Sequence, residues 1–312
     1  MLVNLIESVY RLLWGDLFTI PLGGGIGISL MAVLLLTAGV FFTLRTRLLP
    51  VRLFRDMIAA VCEKKQGRDG LSSFQTLVIS TATRVGMGNL VGVVAAVSAG
   101  GAGAVFWMWV SAFFGMATNY AEAVLAQKYR TTDENGKAVG GPAYYIRAAF
   151  PNRFGKVLAG FFSAALILAL GFMGNMVQSN SISDAMYNAF GVPKIVVGVA
   201  VALVAGFIFL GGVQRIVSVT EKLVPVMALL YIVGSLAVLV CNWRNLPGVF
   251  VNIFTAAFNP SAVLGGAAGI TVQKAMRFGV ARGLFANEAG MGSTPHAHAL
   301  AKVEKPQDQG IT

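Results

Sequence analysis

The sequence predicts an all-α, polytopic membrane protein of about seven spans. Two observations carry that prediction. Hydrophobic residues make up 56% of the 312 residues, charged residues 12%, and the mean hydropathy is +0.72. Those values belong to the membrane class. The apolar residues also gather in runs of bilayer-spanning length, with the basic residues in the loops between them. Lys and Arg number 24 against 13 Asp and Glu. In a soluble protein that excess suggests nucleic acid; here topology accounts for it, and no nucleic-acid partner is expected.

Residues 2–18 carry apolar side chains at helical spacing, interrupted by Glu7, Arg11 and Asp16 and closed by Trp14 and Phe18. That pattern predicts an amphipathic helix on the membrane surface within residues 1–20, without the basic n-region of a signal peptide. Residues 21–312 form the membrane domain. Gly23-Gly24-Gly25 is a flexible start, and Ile26 to Leu44 is a span without charge. The Arg- and Lys-rich segment from Arg45 to Arg68 is then cytoplasmic, which puts the N-terminus outside. Phe74 to Ser98 crosses outward, Gly100 to Gly103 turns, and Val105 to Leu125 returns past the interfacial Trp107 and Trp109.

A second basic loop, Lys128 to Lys156, holds Gly140-Gly141-Pro142 and Tyr144-Tyr145. Val157 to Phe190 is longer than a bilayer needs, so a tilt or break is expected near Gly174. Ile195 to Leu210 returns, and Arg215 and Lys222 mark a third cytoplasmic turn. Val224 to Val240 leaves again, with Pro225 near its inner end where the missing N–H costs least. Leu246 to Phe258 is a short outer helix or loop. The last apolar stretch starts near Ala262, passes Gly265-Gly266 and Gly269, and turns polar at Gln273, Lys274 and Arg277. Such a short, glycine-interrupted stretch predicts a discontinuous helix lining a cavity. The tail from Arg282 is cytoplasmic, ending in a polar, turn-rich Val303 to Thr312. Cys62 and Cys241 fall on opposite sides, which argues against a disulfide.

The candidate site is Thr81 to Val94, T-A-T-R-V-G-M-G-N-L-V-G-V-V. An arginine, two glycines and an asparagine sit in the middle of an apolar run. Gly86 and Gly88 lower the cost of leaving helical geometry, and an unwound helix frees backbone N–H and C=O groups that must face protein or a wet cavity. Freed donors suit a carboxylate and freed carbonyls suit a small cation. Helix packing is the plainer explanation of the glycines, since Gly88 to Gly92 spells G-x-x-x-G. Arg84 and Asn89 tip the balance, because polar groups at that depth are expensive. No third glycine completes a dinucleotide loop.

Enzyme chemistry finds no support. No nucleophile–base pair, phosphate loop or zinc-type spacing is present, and His296-x-His298 with Glu288 does not make a metal set. No organic cofactor is expected.

Three strings nonetheless resemble one family. They are T-R-V-G-M-G-N-L-V-G-V with G-G-A-G-A-V-F-W-M-W-V after it, G-G-P-A-Y-Y-I from Gly140, and G-L-F-A-N-E-A-G-M-G-S-T-P-H-A-H-A from Gly283. They are similar to the alanine or glycine:cation symporters. The resemblance implies a LeuT-like pair of inverted five-helix repeats behind an extra N-terminal span, with core helices 1 and 6 broken. It implies sodium-coupled symport of small neutral amino acids, alanine and glycine foremost, across the cell membrane, with sodium as the coupling ion. It also implies a chain truncated at its C-terminus, the last four core helices missing. The alternative that follows is a non-transporting half that needs a second chain.

The resemblance implies roles for individual residues too. Gly86, Met87, Gly88 and Asn89 would hold the substrate, with the amides of Met87 and Gly88 on its carboxylate. The carbonyls of Ala82 and Val85, with Asn89, would hold sodium. Gln178 and Asn180 stand as substrate contacts or as an interfacial polar pair. Arg84 stands as a partner of the substrate carboxylate or of Glu122. Gly266 and Gly269 mark the second broken helix, and Glu288 braces the inner gate.

Overall fold

A computed structural model of the chain describes its residues other than 1, 16–17, 21–25, 63–72, 85, 135 and 259–271. Helix α1 (Leu2–Trp14) falls in the predicted amphipathic segment, and its exposed Glu7 and Arg11 pair at 2.7 Å one turn apart. Strand β1 (Phe18–Ile20) then pairs antiparallel with β2 (Ile26–Ile28). The span expected from Ile26 therefore begins as strand, and helix α2 runs Leu30–Arg45. Ser29 sets that start: its hydroxyl accepts a hydrogen bond from the Ala32 N–H at 3.3 Å. Helices α3 (Leu49–Arg52) and α4 (Phe54–Cys62) occupy the basic segment.

The stretch expected as one outward span is two helices, α5 (Ser73–Arg84) and α6 (Met87–Gly100), with a bend at Gly86. Helix α7 (Gly103–Lys128) follows the glycine turn. Strands β3 (Thr131–Thr132) and β4 (Ala138–Val139) make a short antiparallel pair before α8 (Pro142–Ala149). The long helix that follows changes its winding: α9 (Arg153–Leu166), a π-helical segment (Ile167–Gly174) and α10 (Asn175–Phe190). The irregularity expected near Gly174 thus takes the form of an altered hydrogen-bond register that ends at that glycine. Gly191 closes α10 at φ +68°, and α11 (Lys194–Leu210) follows.

Helix α12 (Gly212–Cys241) corrects the expected third turn. Arg215 and Lys222 lie within this helix, and Pro225 is interior rather than at its start. Val213, Val217 and Val224 recur at helical spacing, and burying Val217 and Val224 favours winding the polar stretch into the helix. Helix α13 (Leu246–Phe258) is where a short helix or loop was expected. The glycine-interrupted stretch containing Gly266 and Gly269 lies outside the described residues, and α14 (Val272–Asn287) comes after it. In the tail, α15 (Thr294–Ala299) precedes α16 (Pro306–Ile311), so the expected turns of Val303 to Thr312 are partly helical. Pro306 at the helix start and fully buried Gln309 explain the helix.

Arg153–Phe190 and Gly212–Cys241 are long and apolar enough to cross a membrane; Leu30–Arg45, Asn89–Gly100 and Lys194–Leu210 are shorter apolar helices. Many of their apolar side chains are exposed, Leu210 to 90% and Ile195 to 81%, as lipid-facing surface would be.

The chain divides into two units. The first comprises residues 1–54, 92–119 and 235–291. Its core joins Ala32 of α2 to Val280 and Leu284 of α14, with Leu35, Trp107 and Met276 packed around them. Ala104 and Ala257 are fully buried, and small residues there let backbones approach. Trp107 donates its indole N–H to the Ala257 carbonyl at 3.3 Å while its ring meets Phe106 and Phe258.

The second unit comprises residues 55–91, 120–234 and 292–312. There α8 packs on α9, α10 on α11, and α15 on α5. Gly141 precedes α8 at φ +121°, and a Cβ on it would lie 2.9 Å from the His296 ring. Only glycine meets both conditions, which explains the Gly140-Gly141-Pro142 string. Gln127 donates to the carbonyls of His298 and Ala301, the latter at 2.8 Å, and Arg130 also donates to Ala301. The tail is thereby pinned along α7.

Candidate functional site

The site forms where α5 stops. Gly86 is a bend residue, and α6 restarts immediately after it, with the Asn89 N–H bonding the Gly86 carbonyl at 3.0 Å. The Asn89 side chain turns back and donates to the Arg84 carbonyl. An asparagine at this position therefore caps the end of α5 with its carboxamide, satisfying a carbonyl that the broken helix would strand.

The carboxamide of Gln178 lies over the break. A Cβ built on Gly86 would sit 2.8 Å from Gln178 Oε1 and 3.0 Å from Nε2. Gln178 reaches this place from the first turn of α10, directly beyond the π-helical segment. The structure thus brings together Gly86, Asn89, Arg84 and Gln178. Ala82, half-buried, is two residues earlier on α5. Met87 and Gly88 open α6. Val85, named as a sodium ligand, lies outside the described residues.

Asn180 is placed elsewhere. It is exposed, and its carboxamide donates to Asp184 at 3.0 Å on the same helix. Two residues along a helix point to different faces, which separates it from Gln178. Asp184 in turn pairs with Lys194 of α11.

Arg84 donates from Nη2 to the Thr294 hydroxyl at 2.6 Å, joining the end of α5 to the start of α15. Glu122 is buried on α7, 8% exposed, and its charge reaches Tyr145 of α8. Burial, and then that carboxylate, push the Tyr145 hydroxyl well above its ordinary value, so it stays protonated. Glu288 belongs to the first unit, immediately after α14. It is buried and holds φ +55°, an uncommon left-handed conformation for a side chain with a Cβ. Beside it, Asn119 donates to the Asn287 carbonyl at 3.1 Å.

Sequence reasoning missed Thr294, His298 and Gln309 as parts of this region. His298 is buried beneath the tail, and Gln309 Nε2 lies 2.7 Å from its Nδ1. Burial first and the Arg84 charge second hold the His298 ring down at about 4, so it is neutral at physiological pH. The available signal was a run of polar side chains, T-P-H-A-H, at helical spacing in the tail. Among the described residues no cluster of His, Cys, Asp and Glu fit to hold a metal ion occurs.

A helix interrupted at a glycine within an apolar run, with carboxamides at the gap, is a feature that membrane transporters use. The comparison with known proteins agrees: the sodium:alanine symporter family matches residues 22–312, and the chain belongs to that family. It is a family of transporters, and the chain is accordingly a membrane protein. The chain is 40% identical to the sodium/alanine symporter AgcS of Methanococcus maripaludis over 99% of its own length and 65% of the relative's. It is 42% identical to an uncharacterized transporter of Haemophilus influenzae, over 90% of this chain and 61% of that one. It is 40% identical to the probable sodium/glutamine symporter GlnT of Bacillus subtilis, over 91% and 58%. The chain thus spans about three-fifths of the length of these curated relatives. The family match itself covers nearly the whole chain, and nothing in it calls for a second chain.

Proposed function

We propose that this chain carries the substrate and sodium site of a sodium-coupled symporter for small neutral amino acids, with alanine and glycine as the leading cargo. The observation that carries the proposal is the α5–α6 break with the Gln178 carboxamide seated over Gly86. In this reading the amides of Met87 and Gly88 receive the substrate carboxylate, and Gln178 faces its polar groups. The carbonyls of Ala82 and Val85, with Asn89, hold sodium. The close approach of Gln178 to a residue without a side chain leaves room for a small cargo, which favours alanine and glycine over glutamine.

The proposed architecture is LeuT-like, with α5 and α6 as the broken first core helix and the stretch holding Gly266 and Gly269 as part of the broken sixth. Sodium binding at the break favours the outward-facing state and completes the amino-acid site, so coupling is a population shift. The protein lies in the cell membrane with its N-terminus outside and its tail in the cytoplasm, where Glu288 braces the inner gate.

The test is uptake of radiolabelled alanine and glycine into proteoliposomes, with and without a sodium gradient, beside Asn89→Ala. Sodium-dependent uptake that Asn89→Ala abolishes is the expected result. Uptake driven by a proton gradient alone overturns the coupling ion. A folded, inserted protein that moves neither amino acid overturns the proposal.

A further inference from the structure

Beyond the transport site, the second unit holds a basic hollow that the transport reading does not use. Two cavities, of about 360 and 470 Å³, share Tyr144 and Arg147 of α8. The first is also lined by Phe150, Asn152 and Lys156, so the C-terminal end of α8 and the first turn of α9 form its walls. The second reaches His296 and Ser163. Among the described residues, no aspartate or glutamate lines either. Among the described residues, Arg147 and Lys156 form no ion pair. Arg153, exposed at the start of α9, adds a third cation in the same segment. Like charges converging on one hollow repel each other unless an anion sits among them.

A second, independent observation says which anion. Phe154, Val157 and Phe161 follow at helical spacing on α9 and are 60%, 65% and 72% exposed. They form one apolar stripe that starts at Phe154 and runs along the first turns of the long apolar helix, on a different face from Lys156. Phe150 and Phe154 meet edge to face at 5.7 Å, joining the hollow to the stripe. A soluble phosphate has no use for that stripe. A molecule with an anionic head and acyl chains matches both parts.

We propose that the hollow lined by Arg147, Lys156 and Tyr144 binds the phosphate headgroup of an anionic phospholipid, whose acyl chains lie along Phe154, Val157 and Phe161. Arg147 supplies a planar fork for phosphate oxygens, Lys156 a point charge, and the Tyr144 hydroxyl a neutral donor. The site orients the protein against one lipid class and is independent of which amino acid is carried.

The test uses the full chain, purified, delipidated and exposed in competition to dioleoyl phosphatidylglycerol and dioleoyl phosphatidylcholine, with retained lipid read by native mass spectrometry. Roughly thirtyfold preferential retention of phosphatidylglycerol is expected, as two cations near a headgroup provide. Arg147→Gln with Lys156→Gln should bring retention to parity, and Arg215→Gln with Lys222→Gln should leave the preference intact. Spin-labelled versions of the two lipids, bound to the unmodified protein in vesicles, read the same preference without relying on any variant. No preference in the unmodified protein overturns the proposal, as does a preference that survives the Arg147 and Lys156 changes. Displacement of the lipid by inorganic phosphate alone also overturns it, because the hollow would then be a soluble-anion site.

Discussion

Arg84 and Thr294, 210 residues apart in sequence, meet at 2.6 Å, and their contact ties the end of α5 to the start of α15. A hydrogen bond from a guanidinium is stronger than one between neutral groups, and its donor is partly buried. Thr294→Val keeps the shape and removes the acceptor, so stability should fall by about 1.5–3 kcal/mol. Thermal unfolding in detergent measures that loss, and the KM for alanine should move little. A large rise in KM at unchanged stability would instead put Arg84 on the substrate carboxylate.

Gly86 and Gln178 should behave as one unit. A methyl group at Gly86 first meets the free end of the Gln178 side chain, so Gly86→Ala should fold while displacing the carboxamide. Uptake in Gly86→Ala and in Gln178→Ala should drop by similar factors. The double variant should be no worse than either, which is the non-additivity expected of groups in contact. Multiplied losses would show that the two act separately.

His298 makes stability depend on pH in a defined window. Its folded value is lowered to about 4 from an ordinary 6.5, by burial and by Arg84. Above the ordinary value neither state holds the proton, and there is no penalty. As pH falls from about 6.5 to about 4, the unfolded chain takes up a proton that the folded ring refuses. Stability should therefore fall by on the order of 3 kcal/mol across that window and level off below it. Unfolding midpoints between pH 4 and 7 check this, and His298→Gln should flatten the profile in that range.

Much of the fold was legible because its signals are local. Gly86 and Gly88 within an apolar run announced the helix break, and the excess length to Phe190 announced an irregularity near Gly174. The start of α12 was not legible, because Arg215 and Lys222 signal a loop by charge while the burial of Val217 and Val224 depends on distant partners. Asn180 was grouped with Gln178 for a similar reason. Its polarity matches Gln178, but the helical phase separates them and Asp184 offers a nearer partner. The role of Thr294 and His298 was hidden because the tail carries no spanning run, and only its packing on α5 and α7 reveals it.

The wide-wound segment between α9 and α10 has a consequence for how this site is aimed. Each π-helical turn holds about one residue more than an α-helical turn, so Ile167–Gly174 retards the angular phase of everything after it. Gln178 is the fourth residue beyond that segment. Its bearing on Gly86 is thus set by a residue count upstream as well as by its own rotamer. Losing one residue from the segment would turn the whole of α10 about its axis, carrying Gln178 off the break with every atom of its own chemistry intact.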